Sequence, residues 1–198
     1  MKGCNNKKRK TMGKIISSIN ITPDGFVDAQ YTNADADFFE FTHHILAGTQ
    51  TVAFGRNTFE LFQRVWPPRL EKDDTPAWQR RMAQALHDIP KQVYSSGLNA
   101  TAWNNSTIVK AIDVEAINHF KRADQKGLLI LGSPALVATL TEMQLVDDYY
   151  FCIQPLIAGG GSIHLFDQVK LETPQPLKLK SAKALKSGVL IVHYERAG

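Results

Sequence analysis

The sequence holds little for metal or thiol chemistry. Of 198 residues only Cys4 and Cys152 are cysteines, far apart in the chain, which gives neither a disulfide framework nor a paired metal-binding motif and fits a reducing cytoplasm. The six histidines, His43, His44, His87, His119, His164 and His193, include no HxxxH or HExxH pair, so nothing supports a zinc site of that kind. There is no GxSxG elbow, no GxxxxGK[ST] loop, and no GxGxxG after the first expected strand; these absences disfavour a serine hydrolase, a P-loop NTPase and the common dinucleotide fold. No stretch approaches the ~18 unbroken apolar residues of a membrane-spanning helix.

Acidic residues are missing from the first ten positions, where Lys2, Lys7, Lys8, Arg9 and Lys10 gather five of the 23 basic residues. Removing those five leaves 18 basic against 19 acidic residues, so the body is nearly neutral and presents no general signal for nucleic acid. Residues 1–12 read as a basic tail, either a solvated leader or a nucleic-acid arm, and no apolar h-region of a secretory signal follows them. Residues 13–198 read as one domain, since a chain that is 43% hydrophobic can bury one substantial core.

Gly127–Phe166 organises the chain. Leu128–Leu131 is an apolar run suited to a strand buried on both faces. Gly132-Ser133-Pro134 then opens a helix, with Ser133 expected as its cap and Leu136, Val137, Leu140 and Met143 expected on its inner face. A strand at Tyr149–Gln154 and the Gly159-Gly160-Gly161 turn complete the unit. Earlier strands are expected at Lys14–Ile21, Thr51–Phe54, Gln92–Ser95 and Thr107–Lys110. Helices are expected at about Asp35–Leu46, at Phe59–Val65, after Thr75-Pro76, and after an Asp113 cap that turns Val114, Ile117 and Phe120 inward. Arg69–Asp74 reads as a charged loop, and Leu177–Leu185 with Val189–Tyr194 as a closing hairpin. Strands alternating with helices predict an α/β fold with a mostly parallel sheet and an antiparallel edge.

Four turns that follow expected strands carry small or hydrogen-bonding residues: Pro23-Asp24-Gly25, Gly55-Arg56-Asn57-Thr58, Ser95-Ser96-Gly97 and Gly132-Ser133. Ligands of open α/β sheets bind outside the carboxyl ends of the strands, so four such turns on one edge would line a cleft for a phosphate-bearing ligand. Arg56 at a helix start suits bidentate phosphate contact, or else pairs with a neighbouring acid. Asp24 is the sole carboxylate in these turns, placed to orient a polar ring or relay a proton, or else to bond its own turn backbone.

The segments TPDGFVD, VAFGRNTFE, KQVYSS, LILGSPALVATLTEMQLVDDYYFCIQPLIAGGG and SGVLIVHY, in that order, resemble the dihydrofolate reductase-like superfamily. They are most similar to the C-terminal reductase domain of the bifunctional riboflavin-synthesis deaminase/reductase. The resemblance covers nearly everything after Lys14. It implies a three-layer fold with a central sheet of about eight mostly parallel strands, an antiparallel C-terminal hairpin and helices on both faces. It further implies a cytoplasmic, homodimeric NADPH-dependent reductase of a small pyrimidine- or pterin-like heterocycle. By that likeness Gly55, Arg56 and Thr58 grip the cofactor's 2′-phosphate and pyrophosphate, and Ser95 or Ser96 serves the 2′-phosphate end. Gly132 and Ser133, with Leu136 nearby, lie under the pyrophosphate and nicotinamide, while Asp24, with Gly25, sits beside nicotinamide and substrate. Two departures stand out: Pro23 replaces an apolar residue, often leucine, and Ser133 stands where the founding reductase has a second glycine. No deaminase half with its zinc motif is present. A nucleotide-binding module that keeps the fold without turnover is the alternative.

Overall fold

The computed structural model describes residues 12–123 and 126–197; the basic segment 1–11 lies outside the described residues. The strands are β1 (Ile15–Ile21), β2 (Thr49–Gly55), β3 (Lys91–Tyr94), β4 (Ser106–Val109), β5 (Gly127–Leu131), β6 (Asp148–Ile153), β7 (Leu177–Ala184) and β8 (Leu190–Arg196). They form one eight-stranded sheet in the order β4-β3-β2-β5-β1-β6-β8-β7. Strands β1 to β6 pair in parallel, and β8 alone runs the other way, antiparallel to both of its neighbours β6 and β7. The helices are α1 (Ala36–Ala47), α2 (Arg56–Val65), α3 (Pro68–Glu71), α4 (Ala77–Asp88), α5 (Val114–Arg122) and α6 (Pro134–Glu142). Among the described residues no helix is long and apolar enough to cross a membrane.

Side-chain alternation along the central strands divides the core into two layers. Val52 and Phe54 of β2 join Leu129 and Leu131 of β5 on one face, where α1, α2 and α4 supply Leu46, Phe59 and Leu86. Ala53 and the intervening Leu128 and Ile130 face the other side, under Ile117 of α5 and Leu136, Val137 and Leu140 of α6. All five residues of β5 are buried, as a central parallel strand with helices on both faces requires.

Several local expectations shift. Helix α2 begins at Arg56 rather than Phe59, because Gly55 takes the extended N-cap conformation one residue after the last apolar strand position. The expected charged loop contains the short α3, started by Pro68 at its first position. Val114 is 42% exposed: it is the first helical residue after the Asp113 cap and lies at the solvent edge. Met143 is also exposed, because α6 stops at Glu142 and leaves it beyond the last turn.

Lys91, at the start of β3, is buried. Its ammonium donates to the carbonyls of Leu86 (2.7 Å), His87 (3.2 Å) and Ile89 (2.8 Å), closing the C-terminus of α4. It also lies 4.9 Å from the centre of the Trp103 ring. Burial lowers its pKa to about 8, so the charge persists at neutral pH. Lys91→Met should destabilise the fold by about 3 kcal/mol, since carbonyls deprived of a buried donor cost about 1–3 kcal/mol each and water regains some of them. Urea unfolding at neutral pH measures this.

Candidate active site

Strands β3, β2, β5 and β1 are neighbours and parallel, so the topology places the four candidate turns side by side on the carboxyl edge. Gly55 ends β2 and its N–H donates to Ser133 Oγ at 2.9 Å. The Ser133 hydroxyl therefore ties the β5 turn to the start of α2 and does not cap its own helix, where it was expected to act. Gly132 and Ser133 both adopt left-handed backbone, with φ of +65° and +57°. A Cβ on Gly132 would lie 3.3 Å from Thr58 Cγ2, so the two turns meet closely at that position. Arg56 is exposed, and its Nε donates to Glu60 Oε1 at 2.7 Å. One of its terminal nitrogens, Nη1, is 3.5 Å from where a Gly97 Cβ would stand, which brings the Ser95–Gly97 turn to the same corner. The Ser95 hydroxyl accepts from Leu98 N–H at 3.0 Å and shapes that turn; Ser96 is exposed.

Helices α1 and α5 are capped by the side chains of Asp35 and Asp113. Helices α2 and α6, which begin at this edge, have no side-chain cap, as is also true of α3 and α4 elsewhere. The N–H groups of the first turn of α2, and those that follow Pro134 in α6, together with the partial positive charge of each helix start, are open to an anion.

Next to these turns lies a cavity of about 270 Å³, lined by the ends of β1 and β5 and by the inner faces of α1 and α2. Gly132, Ser133 and Thr58 open into it, and Phe38, Phe39, Phe62 and Trp66 form its aromatic wall. Phe39 packs edge-on to Trp66 with ring centres 5.4 Å apart. Asn20 and Thr32 also line it, joined by an Asn20 Nδ2–Thr32 Oγ1 bond of 3.2 Å. Gln154, buried behind them, donates to Asn20 Oδ1 at 3.2 Å and accepts from Asn33 N–H at 2.8 Å. This network holds the segment after β1 over the cavity mouth. The sequence reading missed Phe39, Phe62, Asn20 and Thr32, because aromatics at helical spacing look the same whether they pack on a core or wall a cavity.

Three expected members sit elsewhere. Leu136 is buried in the core on the opposite face of the sheet. Asp24 and Gly25 do not line the cavity. The Asp24 carboxylate accepts from the N–H groups of Ala158 (3.1 Å) and Gly159 (2.8 Å). Asp28 accepts likewise from Ser162 (3.0 Å) and Ile163 (3.2 Å), and Tyr31 Oη donates to Gly160 O at 2.5 Å. The glycine-rich turn is thus the seat of a clamp that fixes the β1 loop. Gly25 has φ of +93°, a backbone that favours glycine, and a Cβ there would fall 2.2 Å from His164 Nε2, so any other residue would be strained and would displace that ring. A hydrogen bond from the Thr22 hydroxyl, with those of Ala158 and Gly159, holds the Asp24 carboxyl at about 2. Burial opposes the same shift at Asp28, but the Ser162 and Ile163 N–H groups still hold its carboxyl below the usual range.

Because the folded value for Asp24 lies below the unfolded one near 3.8, the unfolded chain binds more protons in between, and stability rises with pH there. Glu195, held at about 2 by Lys14 and Lys180, has the same sign. Thermal stability should therefore be level above about pH 5 and fall between about pH 4 and pH 2. In Asp24→Asn part of that slope should disappear, as melting curves across this range will show.

The sequence matches the RibD C-terminal domain over residues 13–191. The chain belongs to the RibD C-terminal domain family. Within reach of this family assignment, it is 26% identical over 201 residues to the uncharacterized protein YyaP of Bacillus subtilis, covering 98% of this chain and 99% of that protein. Its structure superposes with a TM-score of 0.68 on a putative riboflavin biosynthesis protein from Shewanella, at 16% identity over 93% of this chain and 99% of the other. A dihydrofolate reductase from Enterococcus faecalis, complexed with NADP(H) and RAB-propyl, superposes at 0.60, with 12% identity over 94% of this chain and 98% of that one. At such identities the structures establish a shared fold: this RibD C-terminal domain has the dihydrofolate reductase-like architecture. Among its described residues no group of His, Cys, Asp and Glu is placed to hold a metal ion.

Proposed function

We propose that this protein is an NADPH-dependent reductase that acts on a small heterocycle, pyrimidine- or pterin-like and of the riboflavin-precursor type, bound in the aromatic cavity. The observation that carries the reading is the pair of helix starts without side-chain caps, α2 and α6, set side by side next to Arg56 and opening onto that cavity. The family and the NADP(H)-bound neighbour support the choice of cofactor. Arg56 would hold the 2′-phosphate through its guanidinium fork. The N–H groups at the starts of α2 and α6, with Thr58 and the Gly132-Ser133 turn, would hold the pyrophosphate. A bound reduced nicotinamide supplies hydride chemistry. The protein's own part is positioning: the aromatic wall excludes water, and the Asn20–Thr32–Gln154 network fixes the mouth. Asp24 acts in this reading as a positioning residue, through its hold on the 158–159 backbone.

The protein's tryptophans report binding directly, because Trp66 is part of the cavity wall. Titration with NADPH and with NADH, followed by tryptophan quenching and melting temperature, should show saturable binding that strongly favours NADPH. Absence of binding by either cofactor would remove the reductase reading. A second reading, a nucleotide-binding module without turnover, draws on one feature: among the described residues lining the cavity none is an Asp, Glu, His, Lys or Arg. NADPH binding without oxidation in the presence of any acceptor would favour it.

A further inference from the structure

We propose that one face of the C-terminal hairpin, the apolar side of β7 and β8, is an interface on which a second copy of this chain stacks about a two-fold axis. The resemblance implies a homodimer without saying which surface carries it, and this contact does not depend on the reductase reading.

Strand β7 is the edge of the sheet, and all eight of its residues are exposed. In Leu177-Lys178-Leu179-Lys180-Ser181-Ala182-Lys183-Ala184 strict alternation would put Lys183 on the leucine face, and Ala182 and Ala184 on the lysine face. The register shift between Leu179 and Ser181 reverses the alternation part-way. Leu179 therefore lies opposite Tyr194, Ala182 opposite Val192 and Ala184 opposite Leu190, all on one face with Leu177. On the other face Lys178 lies opposite Glu195, Ser181 opposite His193 and Lys183 opposite Ile191. Lys180, at the shift, donates to Glu195 Oε2 at 3.0 Å and joins them. The strand thus carries its three lysines on one face and four apolar side chains on the other.

That apolar face is uncovered. Leu177, Leu179 and Leu190 are 38%, 55% and 36% exposed, and neighbouring apolar residues left open on a sheet mark a surface that another molecule covers. The helix layer on this side, α5 and α6, packs on β2, β5, β1 and β6 and leaves β7 bare. Beside the leucines the surface dips into a hollow of about 440 Å³ lined by Phe151, Phe166, Val169, Leu171 and Leu177, a socket for an apolar side chain of the facing molecule.

The distribution of charge selects the occupant. A partner recognised by charge would dock on the lysine face, whereas the apolar face meets its own copy without leaving a charge unpaired. Arg196, the charged residue of β8 on this face, lies at its end opposite Leu177 and is paired with Asp147 at 3.6 Å. Joining two sheets edge to edge through β7 would set lysines beside lysines, which opposes that arrangement. Stacking the apolar faces avoids it. The short side chains of Ala182 and Ala184 allow the sheets to approach, and two-fold closure ends the assembly at a dimer. The aromatic cavity lies on the opposite side of the sheet, against α1 and α2, so both copies keep it open.

Sedimentation equilibrium of the full chain, from low to high micromolar concentration, should give twice the 22.1 kDa of the chain. Leu179→Glu sets a carboxylate against an apolar surface in both copies and should weaken dimerisation by at least about 100-fold. Leu179 is exposed in the single chain, so circular dichroism should show the fold retained; Ala182→Glu is the second variant should Leu179→Glu fail to fold. Lys183→Glu, on the other face, should leave the dimer constant within about threefold. A wild-type chain that is monomeric throughout would overturn the proposal. So would a dimer that both Leu179→Glu and Ala182→Glu leave intact, a dimer broken by Lys183→Glu but not by Leu179→Glu, or assembly that continues beyond two copies.

Discussion

Arg56→Ala should weaken NADPH binding by about 10- to 100-fold and leave NADH within about twofold. The estimate comes from the roughly 1.5–3 kcal/mol that a hydrogen bond to a charged group contributes, and the 2′-phosphate is the one group that distinguishes the two cofactors. In the absence of a ligand the guanidinium is held by Glu60 at 2.7 Å, four residues on along α2. Both side chains are about half exposed, and an exposed pair at this spacing contributes only about 0.3–0.5 kcal/mol, far less than a phosphate would. The pair therefore parks Arg56 near its working position without competing strongly. Arg56→Lys should recover part of the selectivity through charge alone, because the ammonium lacks the bidentate fork. Parallel NADPH and NADH titrations measure all of this. Equal losses for both cofactors would mean that Arg56 contacts a group they share.

How the residues could be read from the sequence depends on the range of the interaction that fixes them. The Leu128–Leu131 run, the Gly132-Ser133-Pro134 start and the Ser187-Gly188 turn are local signals, and the strand, the helix and the hairpin stand where those signals put them. The order of strands across the sheet is not local, and neither the segment pattern nor the resemblance, which implied only about eight mostly parallel strands and a closing hairpin, stated it. Individual contacts were beyond either kind of reading. Ser133 had the residue type of a cap and the position of one, but its hydroxyl is taken by Gly55 of a neighbouring strand, 78 residues away in sequence. Asp24 looked like a site carboxylate because nothing in the local pattern reveals that the Ala158–Gly159 backbone reaches it. Within the Gly159–Gly161 run, Gly161 supplies the close approach that this clamp needs: a Cβ there would lie 2.7 Å from Asp28 Oδ2 and 2.6 Å from the Phe26 ring. The cavity wall fails for a related reason: Phe38, Phe39 and Trp66 have the spacing of core residues, and only the packing of α1 against α2 decides that a void remains between them.

Gly132→Val should be the most damaging single change at the site. Gly132 has φ of +65°, and the left-handed conformation costs an L-residue about 1–2 kcal/mol, more when it is β-branched. The new Cβ would stand 3.3 Å from Thr58 Cγ2, and its methyl groups would extend into a junction whose backbone is held on both sides. Gly132 N–H donates to Ser18 O at 2.8 Å, and the Ser133 hydroxyl is bonded to Gly55. Overpacking at such a point costs about 1–3 kcal/mol, so the expected loss of stability is about 2–5 kcal/mol. Binding should suffer beyond this, because the same junction joins the start of α6 to the start of α2; spreading it separates the two sets of free N–H groups that a pyrophosphate must bridge. Gly132→Ala, with no γ-methyl groups, isolates the backbone term. It should retain the fold with a smaller loss of stability and still weaken NADPH measurably. Urea unfolding and NADPH titration of the two variants separate these effects. A Gly132→Val protein that melts like the wild type and binds NADPH normally would show that the turn relaxes freely, and that the cofactor's phosphates are held elsewhere.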